Sequence, residues 1–147
     1  MSLPCRVGVL LLVLLLGACG SSGPSRKVHP STASIEQLVV QADGSWRITL
    51  RIQNYSTFTM HYAAIDAQLR IAGSDAGRLS VIPDIDVVGS NSDVIETRFR
   101  PATPIRLIGA VDYSLKGNIR TSKPDKNFDF RTSSQLSPTP GLADTWR

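Results

Sequence analysis

Alternating apolar and polar residues, with a period of two, run through most of the chain from residue 35 onward. The clearest case is WRITLRIQN, which begins at Trp46 and in which every second residue is apolar up to Ile52. Such alternation is typical of a β-strand with one buried face. Residues 35–41 lie just before Asp43-Gly44, a dipeptide that favours a tight turn, so these two stretches predict a β-hairpin.

Further strand-like segments follow, separated by turns that contain glycine or proline. They are 63–71, 78–86, 94–100, 105–115 and a last short strand marked by Phe128 and Phe130. A helix is the alternative for 63–71, because Ala, Gln, Leu and Arg favour helices, but strict alternation would scatter the apolar residues around a helix. About seven strands at this spacing predict an all-β fold, an antiparallel β-sandwich over residues 35–138.

The first 18 residues have a different pattern. Arg6 precedes an unbroken apolar run from Val7 to Leu16, and small residues follow, which is the layout of a secretory signal peptide. A helix needs about 20 apolar residues to cross a bilayer, so the run predicts a cleaved segment rather than a permanent span. Residues 19–34 are rich in Gly, Ser, Pro and Thr and predict a flexible tether. Residues 139–147 are expected to form a disordered C-terminal tail.

Cys19 lies where the apolar run gives way to polar residues. The tetrapeptide Leu16-Gly17-Ala18-Cys19 resembles the lipobox of bacterial lipoproteins. The resemblance implies cleavage after Ala18, a diacylglycerol thioether and palmitate-type acyl chains on Cys19, and a place in the cell envelope. Gly20, rather than Asp, follows the cysteine, which favours the outer membrane. An ordinary signal peptide with a chance cysteine is the alternative.

Cysteine count and charge limit the function further. Cys5 would leave with the signal peptide and Cys19 would carry lipid, so no thiol would remain for a disulfide, a metal or catalysis. The net charge of +4, or +3 without Arg6, is too weak to argue for nucleic acid. Residues 36–96 carry eight acids against four bases, and residues 97–131 carry eight bases against three acids. The basic half could face anionic lipid headgroups, or it could be a set of solvated strand faces with no partner.

The stretch from Arg51 to Ser80 resembles the late embryogenesis abundant (LEA) type 2 domain, also called the water stress and hypersensitive response domain. Asn54 matches the family's first asparagine, although Tyr55 stands where the family usually has proline. The other matching features are the strand 62–69, the turn at Gly73, and the closing segments 112–117 and 128–130 with Pro138. The resemblance implies a fibronectin-III-like sandwich, no enzymatic activity, and an association with desiccation and stress tolerance.

Candidate catalytic and metal-binding residues are sparse. The two histidines, His29 and His61, have no thiol nucleophile to activate, and the segment 73–77 places its serine one position too early for a G-x-S-x-G motif. Oxygen ligands for calcium could come from four acids, although acids in sandwich turns are usually caps or solvated groups: Asp75, Asp84, Asp86 and Asp93. We expect no enzyme, no cofactor and no metal site.

The loop NYSTFTMHY holds the candidate binding residues, which are Asn54, Tyr55, Phe58, His61 and Tyr62. If exposed, these side chains form a patch suited to a partner, a membrane or a client; if folded down, they cap one end of the sandwich. Two hypotheses follow: an envelope protein that protects against water stress, or an assembly module that binds another envelope protein through this loop or a sheet edge. Binding of a hydrophobic ligand between the sheets is a third.

Overall fold

A computed structural model describes residues 20, 23 and 25–147, and within them the chain forms nine strands and no helix. The strands are β1 Thr32–Val40, β2 Trp46–Gln53, β3 Met60–Ile71, β4 Ser74–Val81, β5 Ile85–Val87, β6 Ser92–Phe99, β7 Val111–Lys123, β8 Asp125–Leu136 and β9 Thr145–Trp146. The predicted signal peptide at 1–18 and Cys19 lie outside the described residues. In the described part there is no helix long and apolar enough to cross a membrane.

The strands form two antiparallel sheets. One has the order β6-β2-β1-β9, and the other has the order β4-β3-β7-β8 with β5 also paired to β3. The predicted antiparallel sandwich is therefore confirmed, with nine strands in place of about seven. The predicted β1–β2 hairpin is present too, and Gly44 takes a φ of +80° in its turn, a conformation that glycine adopts at little cost.

The core lies between the two sheets and consists of the apolar side chains that the strands of both sheets turn inward. In β2 the residues Trp46, Ile48, Leu50 and Ile52 are all at most 1% exposed. The Trp46 and Phe99 rings, from β2 and β6, meet at 5.7 Å in a tilted arrangement. Both cysteines precede residue 20, so the described domain depends on this core without a disulfide.

Hydrogen bonds join the two sheets, through two side-chain hydroxyls and through one pair of backbone groups. Thr132 Oγ1 donates to the Ala33 carbonyl at 2.7 Å, and Ala102 N donates to the Ala76 carbonyl at 2.8 Å. Tyr113 Oη accepts from Ile35 N at 3.0 Å, and burial raises the pKa of this phenol. The Thr132 and Tyr113 contacts fix β1 against β8 and β7, and the Ala102 contact fixes the segment after β6 against β4.

Three strand predictions differ from the structure. The segment 78–86 is not one strand, because β4 ends at Val81 and β5 begins at Ile85, on either side of Pro83. Residues 105–110 alternate like a strand, yet β7 begins only at Val111. Ile105 and Leu107 still pack against the core, because an extended loop that covers a core has the same alternation as a strand. β8 is 12 residues long rather than a short strand around Phe128 and Phe130.

The predicted disordered tail at 139–147 is instead ordered and ends in β9, a strand of the four-stranded sheet. β9 pairs with Leu38 and Val39 of β1, and Trp146 is only 8% exposed. The Trp146 Nε1 donates to the Gly109 carbonyl at 3.0 Å. Burial of this large ring and pairing of the β1 edge order a segment whose composition resembles a tail.

Candidate functional site

Three segments close the end of the sandwich where β2 finishes and β3 begins. They are residues 25–31, 54–59 and 87–91, which we call the loop cap. The 87–91 segment approaches closely: a Cβ on Gly89 would lie 2.5 Å from Phe58 N, so only glycine fits at this position. Ser90 N donates to the Ser56 carbonyl at 2.9 Å.

Asn54 organises the loop cap from the inside. Its side chain is fully buried, and its Nδ2 donates to the carbonyls of Phe58 and Val87, each at 2.9 Å. Its Oδ1 accepts from Ser56 N, also at 2.9 Å. One amide therefore satisfies three backbone groups that the loop would otherwise bury without partners.

Residues 25–31 dock onto the same loop. Thr57 N donates to the Lys27 carbonyl at 3.1 Å, Lys27 N donates to Thr57 Oγ1 at 3.0 Å, and His29 N donates to Ser56 Oγ at 2.9 Å. β1 then begins at Thr32. The prediction of a flexible tether over 19–34 thus fails for 25–34, because loop hydroxyls supply hydrogen-bond partners that composition does not reveal.

The candidate binding residues mostly fold down. Asn54 and Tyr62 are fully buried, and the Tyr62 hydroxyl lies 2.7 Å from Ser31 Oγ. Burial raises the pKa of the Tyr62 phenol. Phe58 is half-buried with the Arg26 guanidinium 4.5 Å above its ring. Tyr55, 53% exposed, is the candidate left on the surface. Of the two arrangements that the sequence left open, the structure has the capped one.

His61 lies between two carboxylates of the β4–β5 region. Its Nδ1 is 2.7 Å from Asp86 Oδ1 and its Nε2 is 3.1 Å from Asp84 Oδ1. Since the two carboxylates engage opposite ring nitrogens, they do not converge on one cation position. Asp75 and Asp93, the other acids considered for calcium, accept backbone N–H groups of Gly77 and Val94.

The loop cap also exposes apolar and basic side chains. Each of its three segments contributes one exposed apolar or aromatic residue: Val28 at 39%, Tyr55 at 53% and Val88 at 60% exposure. Arg26 and Lys27 lie in the same N-terminal segment. The combination of aromatic, aliphatic and basic groups is typical of surfaces that touch a membrane interface.

A second feature lies on the outer face of the five-stranded sheet and was missed from the sequence. A groove of about 730 Å³ adjoins a hollow of about 330 Å³, and the two share Gln68, Lys116 and Arg131. We call them together the basic groove. The cross-strand register that assembles it pairs Gln68 with Lys116 and Lys116 with Arg131. These residues lie on different strands and meet only through strand pairing, so the pattern of apolar and polar residues along one strand does not reveal the groove.

Comparison with known proteins identifies the fold. No protein-family model and no curated protein matches the chain. A solution structure of the Arabidopsis thaliana protein AT1g01470 matches with a TM-score of 0.52 and 8% identity, over 84% of this chain and 91% of that one. The chain has a LEA type 2-like fold. A candidate LEA protein, At2g46140.1, matches with a TM-score of 0.48 and 14% identity, over 90% and 85% of the two chains. An Archaeoglobus fulgidus protein has a TM-score of 0.42 and 10% identity, over 77% and 98%.

The residues that carried the sequence resemblance have structural roles in this LEA type 2-like domain. Asn54, matched to the family's first asparagine, is the buried centre of the loop cap. Gly73 has a φ of +75° in the β3–β4 turn. Tyr55, at the usual proline position, points outward. The resemblance is confirmed at the level of the fold, and at this identity the match carries no residue role across.

Proposed function

We propose that this chain is a non-enzymatic, lipid-anchored protein of the bacterial cell envelope, held at the outer membrane on its periplasmic side. Its LEA type 2-like domain would protect neighbouring envelope components during desiccation or a similar stress. The lipobox-like segment at 16–19 supports the anchor. The sandwich with its LEA type 2-like fold supports the class of domain.

The docking of residues 25–31 on the 54–59 loop is the observation that carries the proposal. Five residues separate Cys19 from Ser25, so six backbone steps place a lipid on Cys19 within about 20 Å of the docked segment even if the linker were fully extended. An anchored domain would therefore turn its loop cap toward the bilayer. That end carries Val28, Tyr55 and Val88 together with Arg26 and Lys27. Each basic residue near an anionic surface adds about 1 kcal/mol of attraction.

The surroundings of His61 support a role without catalysis. A general base needs a ring nitrogen that can take a proton from a substrate. Both His61 nitrogens are engaged by Asp84 and Asp86.

Two experiments test the proposal in order. Metabolic labelling with alkyne palmitate should mark the wild-type protein and not Cys19→Ser; an equal signal from both would remove the anchor. Aggregation of a labile enzyme during drying should then be lower with the purified protein than with an equal mass of serum albumin. Equal aggregation in both samples would exclude protection.

Tyr55 favours a second candidate function, an assembly module that binds another envelope protein. An aromatic ring exposed to 53% on a loop is a suitable anchor for a partner. Phe58 and Tyr62 are less suitable, because Arg26 lies over the Phe58 ring and Tyr62 is fully buried. A pull-down that loses one specific protein on Tyr55→Ala, and keeps it on Val94→Ala at an exposed valine of β6, would support assembly. Identical proteins recovered with both variants would exclude Tyr55 as the anchor.

A further inference from the structure

We propose that the basic groove binds a phosphorylated sugar, with the phosphate at its basic end and the sugar hydroxyls at its acidic end. The site is separate from the loop cap and does not depend on a lipid anchor. Its combined volume, about 730 Å³ and 330 Å³ in two adjoining parts, is of the size of small-molecule sites.

The sheet register sets the basic end. Arg78 of β4, Gln68 of β3, Lys116 of β7 and Arg131 of β8 form one row across four neighbouring strands. Adjacent strands lie about 4.8 Å apart, so the row spans roughly 14 Å. Arg70 follows two residues after Gln68, and side chains two apart on a strand share a face.

Arg78 pairs with Asp66, whereas the other three cations at this end have no carboxylate partner in the described part of the chain. In the described part of the chain, no carboxylate lies within 4.0 Å of a side-chain nitrogen of Arg70, Lys116 or Arg131. These three cations line the smaller hollow with Gln68, Ser114 and Ser133, and no acid lines it. Neighbouring like charges repel, and a bound phosphate would relieve the repulsion while accepting hydrogen bonds from all three.

The other end of the groove has the opposite character. Asp66, Asn118 and Asp129 form the next row along the sheet. Asn118 Nδ2 donates to Asp129 Oδ1 at 3.1 Å, while Ser80 and Arg78 hydrogen-bond to Asp66 and lower the pKa of its carboxyl. An ionised carboxylate has about four acceptor sites, so Asp129 retains sites that accept sugar hydroxyls.

This division of charge selects the occupant. A phosphate alone would leave the acidic row unused, and a neutral sugar would leave the cations unpaired. A single nucleic-acid strand would need exposed aromatic rings for stacking. The aromatic residue that lines the groove, Phe130, is only 6% exposed.

Calorimetric titration of the full-length protein in a neutral detergent tests the site with α-glucose 1-phosphate, inorganic phosphate and glucose. We expect the sugar phosphate to bind more tightly than phosphate, and glucose to give no measurable binding. Lys116→Gln with Arg131→Gln should weaken binding of both phosphates by at least about tenfold, because hydrogen bonds to charged groups are lost. Arg120→Gln, which removes one positive charge on the outer face of β7 but outside the groove, should leave both affinities unchanged.

Asp129→Asn separates the two halves of the proposal. It should reduce the affinity for the sugar phosphate to that for phosphate and leave phosphate binding as it was. All variants are on exposed positions, and thermal melts should show that they remain folded. Absence of heat with both phosphates, or equal binding by the double variant and Arg120→Gln, would overturn the site. An Asp129→Asn variant that keeps the preference for the sugar phosphate would overturn the assignment of the sugar.

Discussion

Replacing Asn54 with alanine removes the centre of the loop cap while leaving the strands intact. The change deletes the two hydrogen bonds from Nδ2 to the carbonyls of Phe58 and Val87. It also deletes the bond that Oδ1 accepts from Ser56 N. The side chain is fully buried, so the three backbone groups lose their partners away from solvent.

The expected loss of stability follows from these three bonds. A buried intramolecular hydrogen bond contributes about 1–1.5 kcal/mol, so the loss of three should lower the free energy of unfolding by about 3–4.5 kcal/mol. Domains of this kind are stable by only about 5–15 kcal/mol. For a domain of this size the loss corresponds to a decrease in Tm of roughly 10–20 °C.

Urea unfolding followed by the fluorescence of Trp46 and Trp146 measures this loss. The midpoint should fall while the denaturant slope stays the same, since the surface exposed on unfolding is nearly unchanged. Asn91→Ala is the matched control, because the side chain of this exposed asparagine makes a single hydrogen bond within the described residues, from Nδ2 to the Gly89 carbonyl at 3.1 Å. The control should change stability by less than about 0.5 kcal/mol. If Asn54→Ala loses less than about 1 kcal/mol, the loop is not held by this amide and the reasoning is wrong.

Three further predictions concern the rest of the sandwich. Hydrogen bonds from Ser45, and then Arg98, lower the pKa of Asp43 from 3.8 to about 2, so its stabilising contribution is present above pH 3.8 and lost as the pH falls through about 2. Thermal melts should show Asp43→Asn less stable than wild type near neutral pH, with a difference that shrinks as the pH falls from about 4 through 2; a constant difference would contradict this. Gly117→Ala should cost about 2–3 kcal/mol in urea unfolding, because the new Cβ would lie 1.9 Å from the Asp66 carbonyl oxygen. Gly141→Ala, which meets no atom within 4 Å at a φ of +79°, should cost only about 1 kcal/mol, and equal costs would refute the steric cause. Trp146→Ala should lower the unfolding free energy by about 3 kcal/mol, whereas Leu142→Ala at a 54% exposed residue should have little effect. Similar Tm values for these two variants would mean that β9 does not stabilise the sheet.

The alternation of apolar and polar residues predicted the longer strands that have one buried face. It did not distinguish an extended loop from a strand, and it could not detect a very short strand. β2 matches its predicted bounds because its even-numbered residues are all in the core. Residues 105–110 were misassigned because alternation reports which side chains are buried, not which backbone groups are paired. β9 has two residues, too few to show any period.

The candidate site shows the same limit. The sequence indicated that Asn54 to Tyr62 is unusual, and it left capping and exposure both open. The outcome depends on hydrogen bonds to residues 25–31 and 87–91, which lie about 25 to 35 positions away in the chain and have no apolar pattern of their own. The basic groove depends on the register between four strands, which single-strand patterns do not specify.

Intact mass spectrometry of the protein extracted from bacterial membranes tests the central claim most directly. We predict a chain that begins at Cys19, without residues 1–18, and that carries a diacylglycerol thioether with its acyl chains. The Cys19→Ser variant has no thiol to form the thioether, so its mass should include no diacylglycerol and no acyl chains. A wild-type protein that begins at another residue, or one that begins at Cys19 with a free thiol, would contradict the proposed anchoring of this domain at the membrane.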